Sequence, residues 1–400
     1  MKHPENHIFS HTPESLRAWC AERGWPAFRA PQILDWIYKK GVIQPDLMTN
    51  LRPAERAQLA RDMTFLSGDI VAHQQATDGT QKLLIRWHDA AMPLAPSEPP
   101  AASTPDAASA PAAPPALSLP VASQPAQATK LYETECVMIP ADYDEDAEGG
   151  KGDFARKTAC ISSQVGCPVG CRFCASGIGG LDSNLSAARI IEQVWRLARM
   201  PGVERITNVV FMGMGEPLSN FANVTRAIRT LAAPWGLGIS ARKITISTVG
   251  LPQAIERLAE EFDLPVTLAL SLHAPTDDIR RTLIPWAEYT TIDALLGACD
   301  KWFNKTGREI TLEYTLLGGV NDRPEHAEQL ATLARRLRAN VNIIRYNEVR
   351  GMPFNRPRTE DVRQFQDILR RARINAHIRA SRGRDIAAAC GQLRHEKRAG

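Results

Sequence analysis

The sequence predicts an α/β protein built on a partial βα-barrel of the six-repeat, (βα)6 kind, with a small N-terminal helical accessory unit ahead of it. Three observations lead there. From Arg156 onward, strand-like and helix-like segments alternate, the order that produces a parallel sheet with helices packed on it. Six or seven such units follow in sequence, which fits an incomplete or closed barrel better than a short open sheet. Residues with distinctive chemistry collect where the strands end, at CISSQVGC, GMGEP, STVG, SLHAP and YNEV, and a βα-barrel builds its active site from those loops. Loops gather Gly, Ser and Pro for turn reasons alone. That does not account for Cys167, Glu216, His273 and Asn347 recurring at equivalent places.

Residues 1–89 read as the helical unit. HTPESLRAWCAER has helical apolar spacing, with Pro13 near its start, where proline is tolerated. APQILDWIYKK and RPAERAQLARDM give two further helices, and GTQKLLIRWHD a strand. Residues 90–129 are Ala/Pro/Ser-rich and nearly uncharged. Such a segment has too little to bury and is expected to be a disordered or extended linker. The third segment, 130–400, opens on the strand-like KLYETECVMIP and an acidic, glycine-bearing loop, ADYDEDAEGGKGDFA. Its barrel strands are expected in KTACISSQV, RITNVVFMGM, RKITISTVG, PVTLALSLH, EITLEYTLL, VNIIRYNEV and NAHIRAS. Helices between them include SAARIIEQVWRLARM, LPQAIERLAEEF, EHAEQLATLARRL and TEDVRQFQDILRRA. No G-x-G-x-x-G opens a helix after a strand, so the dinucleotide fingerprint is missing.

The apolar content of 44% is that of a folded protein. MKHPENHIFS has no apolar signal region, and no run approaches the ~18 residues a spanning helix needs. A cytoplasmic, reducing location is the expectation, where clustered cysteines suggest metal binding or catalysis rather than structural disulfides. The net charge of +4 is unevenly placed. Gly351 to Gly400 holds 12 Lys and Arg against 5 Asp and Glu, a local +7 that leaves −3 for the rest. A basic end can meet phosphates; DVRQFQDILRRAR equally fits a solvated helix face.

Four of eight cysteines fall in CISSQVGCPVGCRFCASG, and Cys167, Cys171 and Cys174 are spaced C-x3-C-x2-C. Structural zinc takes four protein ligands, and a second close pair is absent here. An iron–sulfur cube also takes four. Three cysteines on one loop leave one iron without a protein thiolate, an open position that a substrate can occupy. On a loop after a barrel strand, this points to a radical S-adenosylmethionine cluster, with zinc as the alternative. Cys20, Cys136 and Cys299 lie in apolar strand- or helix-like segments and read as packing residues. Strand alternation sends Cys136 to the face opposite Glu135.

Beyond the cysteines, VVFMGMGEPLSN, ISTVGLP, LALSLHAP, LIPW, GGVND, IIRYNEV and RASRGRDIAAACGQL together resemble the RlmN/Cfr family of radical S-adenosylmethionine RNA adenosine methyltransferases, and its C2-methylating RlmN type in particular. The similarity runs from Arg156 to Leu393, takes in ETECVMIP and extends more weakly to FRAPQILDWIYKK. The resemblance implies a [4Fe–4S] cluster on Cys167, Cys171 and Cys174. It implies reductive cleavage of S-adenosylmethionine to a 5′-deoxyadenosyl radical, which an electron-poor ring carbon requires. Gly215, Glu216, Ser247, Ser271, Leu272, His273 and Asn347 match the family's contacts to that cosubstrate. Cys390 matches the methyl-carrying cysteine, Cys160 the cysteine that resolves the protein–RNA thioether through a transient Cys160–Cys390 disulfide, and Glu135 the proton acceptor. Taken alone, His273 reads as a histidine satisfied by backbone bonds, and Cys390 as a small buried residue before a glycine cap.

By the same resemblance, the partners are large-subunit ribosomal RNA, transfer RNA as a second substrate, and a reductant such as flavodoxin or ferredoxin, with a monomer and no membrane. The sequence departs from the family pattern at GIGGLDSNLS, where Asp182 and Ser183 replace an expected basic residue, and in the longer acidic loop. Methylation at carbon 8, as in Cfr, and a zinc-stabilised RNA-binding module without turnover are the alternatives.

Overall fold

The computed structural model describes residues 1–90, 131–141 and 156–393. The linker expected at 90–129 and the acidic loop therefore lie almost wholly outside the described residues. The N-terminal part holds α1 (Pro13–Glu22), α2 (Arg29–Tyr38) and α3 (Pro53–Asp62), then β1 (Gly68–Gln75) and β2 (Gln81–Trp87). Thr12 caps α1 by accepting from the Ser15 N–H, with Pro13 in the first turn where its missing N–H costs nothing. There follow β3 (Tyr132–Pro140), β4 (Lys157–Cys160), β5 (Gln164–Gly166), β6 (Leu181–Asn184), α4 (Ala187–Leu197), β7 (Asn208–Phe211), α5 (Phe221–Ala232), β8 (Ile244–Thr248), α6 (Pro252–Glu261) and β9 (Thr267–Ser271). The chain continues through α7 (Asp277–Leu283), α8 (Ile292–Thr306), β10 (Ile310–Leu316), α9 (Pro324–Ala334), β11 (Ala339–Arg345), α10 (Thr359–Arg371) and β12 (Ala376–Arg379).

One sheet of ten strands runs β1-β2-β3-β4-β7-β8-β9-β10-β11-β12. From β4 to β12 every neighbour is parallel, with helices returning the chain between strands. This is the expected partial barrel, carrying a seventh parallel strand, β12, beyond the six repeats. The other end of the sheet is antiparallel, β1 to β2 to β3 to β4. The seam expected at residue 89 is thus crossed by strand pairing, with β2 lying along β3 from Gln81↔Met138 to Trp87↔Tyr132.

The core crosses it too. Ile8, Leu16 and Ile33 belong to the same buried cluster as Val209, Leu268 and Phe365. Helix α4 is buried at every position because it lies between the barrel and the N-terminal helices. Its Glu192 is satisfied by His7, by the Ser67 N–H and by Arg196, so the charge it buries is paired. Cys20, Cys136 and Cys299 are buried packing residues, as expected. Among the described residues no helix is long and apolar enough to cross a membrane.

Candidate active site

The strand ends converge on a cavity whose walls include Cys167, Cys171, Cys174, Gly215, Glu216, Ser247, Ser271, His273 and Cys390. The cysteine loop is shaped by the β5–β6 hairpin beneath it. Cys167 N–H donates to the Gly180 carbonyl at 3.0 Å, and Arg172 N–H to Leu283 at 2.9 Å. The same loop grips the C-terminal segment. Ala175 N–H donates to the Gly391 carbonyl at 2.8 Å, and Ser176 Oγ to the Leu393 carbonyl at 2.7 Å. Those bonds bring Cys390 to the cavity that the three cysteines line.

The donor set fits an iron–sulfur cluster. Burial pushes the Cys167 thiol up to about 12 and raises Cys171 and Cys174 as well. Three desolvated thiols resist ionising until a metal supplies the positive charge. Buried Arg280 supplies part of it: it stands near Cys171 and is anchored by donating to the Leu272 and Val249 carbonyls. Among the described residues, no three His, Cys, Asp or Glu converge tightly enough for a single ion. A cluster asks for one thiolate per iron, spread along a wall, rather than a closed tetrahedron on one ion.

The predicted cosubstrate residues fall in three groups. Gly215, Glu216, Ser247, Ser271 and His273 line the cavity. Gly215 has φ 104, and a Cβ there would meet Ser163 Oγ at 2.7 Å, so the strand exit needs glycine. Glu216 is buried and accepts from the Leu218 and Val249 N–H groups, at 3.0 and 2.8 Å; burial raises its carboxyl. Ser247 and Ser271 hydroxyls are 3.3 Å apart. His273 sits at φ 57 and accepts from the Thr315 N–H at Nδ1, 3.0 Å, which leaves the proton of the neutral ring on Nε2. Burial pushes it down to about 3. Leu272 is fully buried in the core and stands behind the wall, bonding through its main chain to Glu313 and Arg280. Asn347 lies in an adjoining chamber, its Nδ2 donating to the Cys390 carbonyl at 3.3 Å.

That second chamber is lined by Cys160, Asn347, Arg379, Arg382 and Cys390. Cys390 borders both spaces. The residue is exposed overall, while the protein crowding its sulfur pushes the thiol up to about 11. Cys160 closes β4, is buried, and has its thiol pushed up to about 12. Val137 of β3 pairs directly with Cys160. Glu135, two residues before Val137, therefore shares that face, and Cys136 takes the other. Glu135 is buried, and its Oε1 is 2.8 Å from Lys82 Nζ.

Models of two families match the chain. The radical SAM superfamily covers residues 161–334, and the ribosomal RNA large subunit methyltransferase N-terminal domain covers 7–64. A probable dual-specificity RNA methyltransferase RlmN of Rhodopirellula baltica is 37% identical over 98% of this chain and 92% of its own. The chain belongs to the RlmN family of radical S-adenosylmethionine RNA methyltransferases. A family member from Syntrophus aciditrophicus, a dual-specificity RNA methyltransferase RlmN, is 39% identical over 95% of this chain and 94% of its own. The crystal structure of a radical SAM methyltransferase from Sphaerobacter thermophilus superposes with a TM-score of 0.81 at 38% identity, covering 98% of this chain and 100% of that one. The family's cofactors, a [4Fe–4S] cluster and S-adenosylmethionine, are this enzyme's cofactors.

Three polar residues of the site escaped the sequence reading. Glu313 of β10 is buried in the cavity wall, its carboxyl raised by burial and held by Asn342. Arg379 of β12 lines the second chamber. Burial works against its charge, but Glu313, Cys390 and Cys160 nearby raise it overall. Lys82 is a buried ammonium in β2. A signal was there for Glu313: a lone charge inside the apolar strand ITLEYTL. Buried charges are rare unless paired.

Proposed function

We propose that the protein methylates C2 of adenosine in large-subunit ribosomal RNA, with transfer RNA as a second substrate. The observation that carries this reading is that Cys390 borders both the cysteine-lined cavity and the chamber that holds Cys160. One thiol can then accept a methyl group on one side and deliver carbon on the other. Cys167, Cys171 and Cys174 would hold the cluster, and Gly215, Glu216, Ser247, Ser271 and the main chain around Leu272 and His273 the cosubstrate. Together the cofactors would supply reversible one-electron chemistry, for hydrogen abstraction from the carried methyl group and for accepting the electron left after the new carbon–carbon bond forms.

The remaining steps belong to the chain. The Cys390 thiolate is the nucleophile that accepts the methyl group. Its carbon, bonded to C2 of the base, forms a protein–RNA thioether as Glu135 takes the C2 proton. Cys160 then attacks Cys390 Sγ. The S–S bond forms, the sulfur–carbon bond breaks with its electron pair on carbon, and that carbon takes up a proton to become the methyl group. A reductant, flavodoxin or ferredoxin, would reopen the disulfide and supply the electron. Asn347, in the adjoining chamber, would steady the Cys390 main chain.

The N-terminal helical unit, residues 1–89, and the basic end would grip folded RNA by shape and backbone contacts, with the target base drawn out of its stack. The relatives' description as dual-specificity RNA methyltransferases and the N-terminal match to a ribosomal RNA methyltransferase domain support that substrate class. Nucleoside mass spectrometry of RNA from cells with and without the gene tests the reading. Loss of 2-methyladenosine is expected in ribosomal RNA and in transfer RNA. Loss of an 8-methyl product instead, or no change, overturns it.

A further inference from the structure

The β1–β2 hairpin, which lies outside both matched families' spans, reaches the segment that carries Cys390 at three points. Thr77 N–H donates to Asp385 Oδ2 at 2.9 Å. Gly383 N–H donates to Asp78 Oδ2 at 2.9 Å. Lys82 Nζ donates to the Ala387 carbonyl at 3.2 Å. Ala387 sits at φ 49, a left-handed conformation that costs an alanine about 1–2 kcal/mol, so the surrounding bonds must hold it there.

The ammonium that holds Ala387 also pairs with Glu135, at 2.8 Å. The strand register puts Lys82 opposite Val137, and Val137 opposite Cys160. Lys82, Glu135 and Cys160 therefore project from one face of the sheet, with Glu135 diagonal to Lys82. Both members of the ion pair are buried, so solvent and salt screen their attraction little.

We propose that Lys82 is the positioning residue of the base: it fixes the Glu135 carboxylate in place and ties it to the loop that brings Cys390 to the substrate. This rests on Glu135 being the proton acceptor. Lys82 touches neither substrate nor reacting atoms and acts through Glu135. The step it governs is proton loss from C2 to the Glu135 carboxylate, which precedes attack of Cys160 on Cys390.

The test uses the cluster-loaded enzyme, S-adenosylmethionine, a chemical reductant and a transcript of the target RNA. Three readouts are followed: iron content, methylation of Cys390 by peptide mass, and covalent protein–RNA adduct on a denaturing gel. Lys82→Met is expected to load its cluster, methylate Cys390 and accumulate adduct although Cys160 is present. Product release should slow about a hundredfold, the lower end of what a positioned base contributes. Lys82→Gln, which keeps a donor for Ala387 and drops the charge, should also trap adduct, and Lys82→Arg should restore release. If the neutral variants release product at the parental rate, or load the cluster but fail to methylate Cys390, the proposal is overturned; the second result would make Lys82 a tether only. Should Lys82→Met not fold, Lys82→Gln and Lys82→Arg decide alone. Glu135→Gln separates the two readings. If it traps adduct while the Lys82 variants do not, Lys82 alone is misassigned. If it turns over freely, the base assignment and this proposal fall together.

Discussion

Asn321→Ala removes the side chain that fixes one wall of the cavity, and its cost can be worked out. Asn321 is fully buried in the GGVND turn after β10. Its Oδ1 accepts from the Leu317 N–H at 2.7 Å, and its Nδ2 donates to the His273 and Thr315 carbonyls, both at 2.8 Å. The Tyr314 hydroxyl bonds to the Asn321 carbonyl and survives the substitution. Three hydrogen bonds at roughly 1 kcal/mol each, with part of a further ~1–3 kcal/mol for a group left unsatisfied in a dry site, give a loss of about 3–5 kcal/mol. Unfolding entropy near 2.1 cal/mol/K per residue makes ~0.8 kcal/mol/K for this chain, so Tm should fall by about 4–6 °C. The assay is calorimetry of the anaerobically prepared enzyme, followed by titration with S-adenosylmethionine. His273 loses the bond that helps hold it at φ 57, so cosubstrate binding should weaken as well. A Tm within about 1 °C of the parent would refute the reasoning, because it would mean that water or relaxation replaces all three bonds.

Further outcomes follow from the same geometry. Cys390→Ala should keep the iron and the visible absorption of the cluster yet transfer no methyl group to RNA; retained transfer would remove Cys390 from the mechanism. Cys160→Ala should leave a covalent protein–RNA adduct on a denaturing gel, and a clean gel would undercut the resolving role. Burial pushes His273 down to about 3 from its ordinary 6.5. The unfolded chain binds a proton there that the folded chain refuses, so this stability is complete above 6.5 and is lost as the pH falls toward 3. His273→Asn keeps an acceptor for Thr315 N–H, tolerates the left-handed backbone and has no proton to take up. Between about pH 6 and 4 its stability should fall less steeply than the parent's by roughly 1.4 kcal/mol per pH unit, and parallel curves would refute the assignment.

The parallel strands and the chemistry at their ends were legible because buried strands and βα alternation leave strong patterns. GMGEP, STVG and SLHAP do end β7, β8 and β9. The edge strand β1 was not legible. Its GDIVAHQQ exposes nearly every residue, so no alternation marks it. With β1 unseen, the N-terminal part read as a helical unit separate from the barrel, whereas the sheet runs through both. Motif position marks Asn347 and Leu272 as contacts, but it does not say whether a side chain, a main chain or neither faces the cavity. Leu272 turns its side chain into the core, and Asn347 is held at the second chamber. Lys82 was invisible for a further reason: its partners, Glu135 and Ala387, are distant in sequence, and only the sheet register brings them to it.

One thiol can face two chambers because of how its segment is held. Ordering this segment costs about 1–2 kcal/mol per residue in backbone entropy, and here most of the bonds that offset it fall on main-chain atoms. The cysteine loop holds Gly391 and Leu393, Asn347 holds the carbonyl of Cys390, and the β1–β2 hairpin holds Gly383 and Ala387. None of these bonds uses the Cys390 sulfur; they hold the backbone around it. On the proposed mechanism, carbon carried on that sulfur would pass between the chambers by rotamer change, a motion faster than loop rearrangement. On the same mechanism the disulfide would close between that sulfur and Cys160, which ends β4 and lines the second chamber.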